Sequence, residues 1–138
     1  MNNNEVTLFL IEDDDVDAIT VERALKKRRI ANPMIRAKDG MEALSFLQEN
    51  KVPKPYITLL DLRLPRMNGI EFLDEIRKDE LLHDMVVFVL TTSHDERDIK
   101  ATYEHNIAGY FIKESAGDEL LGIADMLQGY WRIVCLPS

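Results

Sequence analysis

With 138 residues, 46% apolar and 30% charged, the chain has the composition of one globular domain able to bury a real core, not of a disordered segment. A formal charge of −8 argues against general affinity for nucleic acid or anionic lipid. Cys135 stands alone, so no internal disulfide or cysteine metal site forms; Met1–Glu5 lacks a signal peptide's basic and apolar regions, no apolar run reaches bilayer length, and a soluble cytoplasmic protein is expected.

The first element is Val6–Ile11, a short and nearly continuous apolar run that reads as a strand buried on both faces. It ends in Glu12-Asp13-Asp14-Asp15, and a helix follows over Asp15–Lys27. The basic run Lys26-Lys27-Arg28-Arg29 suits a helix C-terminus by default, with docking of an acidic partner as the alternative. Met34–Ala37 is a weaker strand. Asp39 with Glu42 signals a capped helix over Met41–Gln48, and Lys51–Pro55 is a loop.

Tyr56–Leu60 is a second strong strand and ends at Asp61. Asn68 with Glu71 caps a helix over Ile70–Lys78. Met85–Leu90 is the third strong strand, ending in Thr91-Thr92-Ser93, and Ser93 with Glu96 starts a helix over His94–His105. Gly109–Ile112 completes the strands and ends at Lys113, ahead of a last helix over Ala116–Trp131. His83, His94 and His105 lack metal-ligand spacing and read as surface residues.

Five strands alternating with five helices imply an α/β fold: a doubly wound parallel sheet with right-handed crossovers and the flavodoxin-like order 2-1-3-4-5. In such sheets a ligand binds beyond the carboxyl ends of the strands, beside strand 1. Asp14 and Asp15 suit the helix start that follows. Glu12 and Asp13 leave the strand earlier, where a hard divalent cation such as Mg²⁺ explains them better. Asp61 is a cap or turn residue if taken alone, but strands 1 and 3 flank the switch point, so it should face Asp13 across a shared metal. Thr91 offers a hydroxyl to a bound oxyanion, and Lys113 is either solvated or a counter-charge to the carboxylates. Together these are the parts of a phosphoryl-transfer site.

On these residues the chain resembles the receiver domain of two-component response regulators. The acidic pair Glu12-Asp13, the Asp61-to-Pro65 stretch with Gly69, then Thr91 and Lys113, carry the likeness. The resemblance implies a single receiver domain over 1–138, with a core of about 5–131 and a tail of 132–138. It also implies Asp61 as phosphoacceptor, not an enzyme acting on other substrates, and Mg²⁺ held by Asp13, Asp61, the Arg63 backbone carbonyl and, through water, Glu12. Thr91 and Lys113 would bind phosphoryl oxygens, and Tyr110 would be the aromatic that changes rotamer on activation. The implied partners are a histidine kinase and a downstream protein or phosphorelay reached through the helix 4–strand 5–helix 5 surface. Leu90–His94 and the end of the chain, with Tyr130-Trp131 and Leu136-Pro137, resemble the regulators that partner bacterial and cyanobacterial phytochromes. One departure is Glu114, where most receivers have a proline that often follows a cis bond. It leaves the loop path in question and makes Glu114 a rival for the Lys113 ammonium.

In the last helix Leu120, Ile123, Ala124, Leu127 and Trp131 form the expected core stripe. Gly122, Met126, Gly129 and Ile133 fall on the other side, where two glycines suggest a close contact in a homodimer, with Trp131 contributing; tolerance near a chain end is the alternative. A haloacid-dehalogenase-type phosphatase needs a second acid where Arg63 stands. A flavin or nucleotide carrier would not want four carboxylates after strand 1. A phosphorylation-independent adaptor on the same fold remains a third reading.

Overall fold

The computed structural model describes residues 6–117, 120–133 and 135–137. Strands β1 (Thr7–Ile11), β2 (Met34–Ala37), β3 (Tyr56–Leu60), β4 (Val86–Thr91) and β5 (Gly109–Ile112) alternate with helices α1 (Asp15–Lys27), α2 (Gly40–Gln48), α3 (Gly69–Lys78), α4 (Glu96–Glu104) and α5 (Leu121–Ile133). The strands pair in parallel in the expected flavodoxin-like order, β2-β1-β3-β4-β5.

The continuous apolar runs follow from cover on both faces. Phe9, Ile11, Leu60, Val87 and Val89 pack with α2 and α3, while Leu8, Leu10, Ile57, Leu59, Phe88 and Leu90 pack with α1 and α5. Successive side chains point to opposite faces, so a strand covered twice must be apolar at nearly every position. No helix among the described residues is long and apolar enough to cross a membrane.

Asp39 and Asn68 cap α2 and α3 as expected, and Asn68 with Glu71 forms a complete capping box. The start of α4 differs. Ser93 is buried and gives its hydroxyl proton to Asp98, while Asp95 accepts from Arg97 N and is the true cap. The last helix also begins later than its apolar spacing suggests. Lys113–Ser115 is one turn of 3-10 helix, and Gly117 lies at φ +82°, a left-handed conformation that cannot propagate a right-handed helix. The core stripe is as expected: Leu120, just before α5, and Ile123, Ala124, Leu127 and Trp131 within it are all buried. Burial of Trp131 removes it from the expected dimer face. His105 is not a free surface group either, since its Nδ1 lies 2.7 Å from the Ala101 carbonyl and its Nε2 3.4 Å from Asp74.

Gly69, the first residue of α3, sits against the back of the site. A Cβ there would stand 2.7 Å from both the Asp61 carbonyl oxygen and Leu62 Cα, which are backbone and cannot swing away. Gly69→Ala is therefore expected to lower unfolding free energy by about 2 kcal/mol, read from urea denaturation.

Candidate functional site

The register sets the strand ends side by side. Ile11 is level with Leu60, so Glu12 and Asp61 leave the sheet together, and Asp61 N donates to the Ile11 carbonyl at 3.0 Å. Leu60 is level with Val89, and Thr91 with Ile112, so Thr91 and Lys113 emerge at the same edge.

Glu12, Asp13 and Asp61 each offer a carboxylate oxygen within 4.8 Å of the others. Glu12 and Asp61 are buried, while Asp13 is exposed at the mouth. Lys113 Nζ enters from the far side and donates to Asp17 at 2.7 Å, Glu12 at 2.8 Å and Asp61 at 3.1 Å. Its side chain is only 9% exposed, so these bonds are made largely out of water. Several carboxylates thus share one ammonium, and the cluster keeps a net negative charge suited to a divalent cation.

Burial, first of all, pushes the Glu12 carboxyl up to about 8; the Asp61 charge adds to this, and Lys113 only partly offsets it. For Lys113 burial works against the ammonium, but bonds to Asp17 and Glu12 and the charge of Asp61 outweigh it and raise its pKa. The other acids of the β1–α1 turn are accounted for locally. Asp14 caps α1, accepting from Val16 N at 2.8 Å and Asp17 N at 3.1 Å. Asp15 pairs with Arg36 at 2.8 Å, a bond that holds its carboxyl below the usual range.

Thr91 is fully buried at the end of β4, and its hydroxyl oxygen lies 3.5 Å from Ser93 N. Arg63 N donates to Asp61 Oδ1 at 3.2 Å, turning the β3–α3 loop back over the carboxylate. Tyr110 is half-buried and donates its hydroxyl proton to the Ser93 carbonyl at 3.0 Å, tying β5 to the β4–α4 loop. Glu114 does not compete for Lys113; it faces His94 at 3.3 Å. The cis peptide among the described residues is Lys54–Pro55, so the bond after Lys113 is trans.

Two residues of the site carried no separate signal in the reading by elements. Asp17 looks like an ordinary first-turn acid, yet it lies four residues before buried Val21 on the inward stripe of α1, and its position there was the available clue. Arg36 on β2 donates Nε to the Glu12 carbonyl at 2.9 Å as well as pairing with Asp15, so it braces the acidic turn. At the expected dimer face, a Cβ on Gly122 would lie 2.6 Å from the Ala116 carbonyl oxygen, so this glycine serves the turn into α5 of its own chain. Gly129 is exposed with open space around it and Met126 is half-buried. The Ile133 side chain lies outside what the structure describes.

The sequence pattern of the response regulator receiver domain matches residues 8–125. The chain belongs to that family. Response regulator Rcp1 of Synechocystis sp. is 34% identical, with 99% of this receiver and 97% of Rcp1 aligned. The probable methanogenesis regulatory protein FilR2 of Methanothrix harundinacea is 31% identical over 90% of the receiver and 82% of FilR2. Among solved structures, the Mn²⁺-bound form of Rcp1 superposes with a TM-score of 0.85 at 35% identity, covering 96% of this chain and 99% of that one. The phosphorylated cyanobacterial phytochrome response regulator RcpA gives 0.86 at 32% identity, covering 97% and 99%. The likeness to phytochrome-associated regulators therefore extends over the fold as well as the motifs.

Proposed function

We propose that this receiver accepts a phosphoryl group on Asp61 from a histidine kinase, of phytochrome type, in a Mg²⁺-dependent reaction. The observation that carries the reading is the convergence of Glu12, Asp13 and Asp61 within 4.8 Å, with Lys113 bonded to two of them. The Mn²⁺-bound relative and the phosphorylated relative support it. Asp13, Asp61 and the Arg63 carbonyl would hold the ion directly and Glu12 through water; the donor set is all oxygen, which suits a hard cation. Bound there, Mg²⁺ supplies positive charge to the transferring oxygens.

An Asp61 carboxylate oxygen attacks phosphorus in line. The P–N bond to the kinase imidazole breaks, and its electron pair stays on nitrogen. Lys113 and Thr91 bind phosphoryl oxygens as charge shifts onto them, and later attack by water releases phosphate and restores the carboxylate. Recruitment of Thr91 to the phosphoryl group moves the β4–α4 loop, to which Tyr110 is tied through Ser93, and so biases the α4–β5–α5 surface toward a downstream partner, an onward relay or self-association through the Met126–Gly129 side of α5. Incubation with acetyl phosphate tests the reading: intact-mass measurement should show one phosphoryl adduct with Mg²⁺ and none in EDTA, and equal labelling in both would refute it.

The raised Glu12 pKa fixes a pH dependence. Its proton is retained up to about 8, so at neutral pH a cation must displace it. Mg²⁺ affinity should therefore rise as pH goes from 6 toward about 8 and then level off. Calorimetry in buffers of different ionisation enthalpy should register protons released on binding. In the metal-free protein the same group works the other way. Its folded pKa exceeds the unfolded value, so its contribution to stability is full below about 4.5 and is lost as pH rises through about 8.

A further inference from the structure

We propose that Asp17 is a positioning residue that restrains Lys113, competing with the phosphoryl group for its ammonium and so weakening capture of that group. This rests on the phosphoryl-acceptor reading above.

An ammonium has three N–H donors, and all three of Lys113 are already committed, to Asp17, Glu12 and Asp61. For Lys113 to bind an oxygen of a group on Asp61, one of these bonds must open. Glu12 and Asp61 belong to the carboxylate trio able to hold a cation, and Asp17 does not. A cation in that trio draws charge from Glu12 and Asp61 and leaves Asp17 as the one full carboxylate holding Lys113. Its bond is the shortest of the three, at 2.7 Å, and it is the largest single interaction raising the Lys113 pKa. Asp17 approaches from α1, one-third exposed, whereas a phosphoryl group on Asp61 would stand at the end of β3. Occupying an N–H and placing a negative charge near an incoming anion act in the same direction, since both disfavour anion capture. Lys113 does not need Asp17 to stay in place, because its chain is 9% exposed and Glu12 still holds it at 2.8 Å.

The test compares wild type with Asp17→Asn and Asp17→Glu, using two probes of the intact chain. Mn²⁺ affinity is read from electron paramagnetic resonance. Affinity for beryllofluoride, made from beryllium chloride and sodium fluoride with Mg²⁺ present, is read from ¹⁹F resonances of the bound species. Asp17→Asn should bind beryllofluoride about tenfold more tightly and Mn²⁺ within about threefold of wild type. Asp17→Glu, which restores the charge, should return the beryllofluoride affinity to near the wild-type value. Equal or weaker beryllofluoride binding by Asp17→Asn overturns the proposal, as does a parallel change in both affinities, which would place Asp17 in the metal set. Failure of wild type itself to bind either probe would remove the phosphoryl-acceptor reading and this inference with it.

Discussion

Replacing Asp61 with asparagine is expected to abolish covalent phosphorylation while leaving the protein at least as stable as wild type. The amide has no free carboxylate lone pair to attack phosphorus, so labelling by acetyl phosphate should fall by on the order of 10³ or more, below detection. Stability should move the other way. Asp61 is 7% exposed, and its charge is one of the causes holding a proton on Glu12. Removing it leaves Lys113 to be shared by Glu12 and Asp17 alone, relieves like-charge crowding, and should add roughly 1 kcal/mol to unfolding free energy without metal. A rise in Tm together with lost labelling identifies a group kept for chemistry. A large fall in Tm would mean that Asp61 serves the fold.

The second large effect is expected at Lys113. Its Nζ is the shared partner of Glu12, Asp17 and Asp61, and Glu12 and Asp61 are buried beside it. Breaking a buried ion pair from one side strands the other charge, at a cost of about 3–5 kcal/mol. Here the lower end, about 3 kcal/mol, is expected for Lys113→Ala at neutral pH in EDTA, because Glu12 already holds a proton there and Asp61 is the buried carboxylate left without its partner. Two conditions should return much of the loss. Acidification neutralises the stranded carboxylates, and saturating Mg²⁺ or Mn²⁺ replaces the missing cation and stabilises by mass action. Urea denaturation of wild type and variant, with and without metal, separates these effects. A variant equally unstable in both states would show that Lys113 acts through packing alone.

The features most legible in the sequence were those with a local cause. β1, β3 and β4 announce themselves because burial on both faces forces apolar residues at consecutive positions, and Asp39 and Asn68 mark helix starts because unpaired N–H groups need an acceptor nearby. The site was legible wherever its chemistry sits at a strand end, since the order of the sheet then brings Glu12, Asp61 and Lys113 together. Ser93 misled because Ser-x-x-Glu satisfies the capping pattern, while tertiary burial turned its hydroxyl toward Asp98 and left the cap to Asp95. Asp17 and Arg36 were hidden for another reason. Each acts across elements, from α1 to β5 and from β2 to the β1–α1 turn, and the facing register of separate elements is set by packing that no local pattern records.

The most direct measurement is Mn²⁺-induced line broadening in amide NMR spectra of the uniformly labelled protein. Paramagnetic broadening should centre on residues 12–13, 61–63, 91 and 113, spare the opposite end of the sheet around Tyr56 and Leu82, and vanish in Asp13→Asn. Broadening centred elsewhere, or undiminished in that variant, would contradict a divalent ion gathered by the carboxylates of β1 and β3.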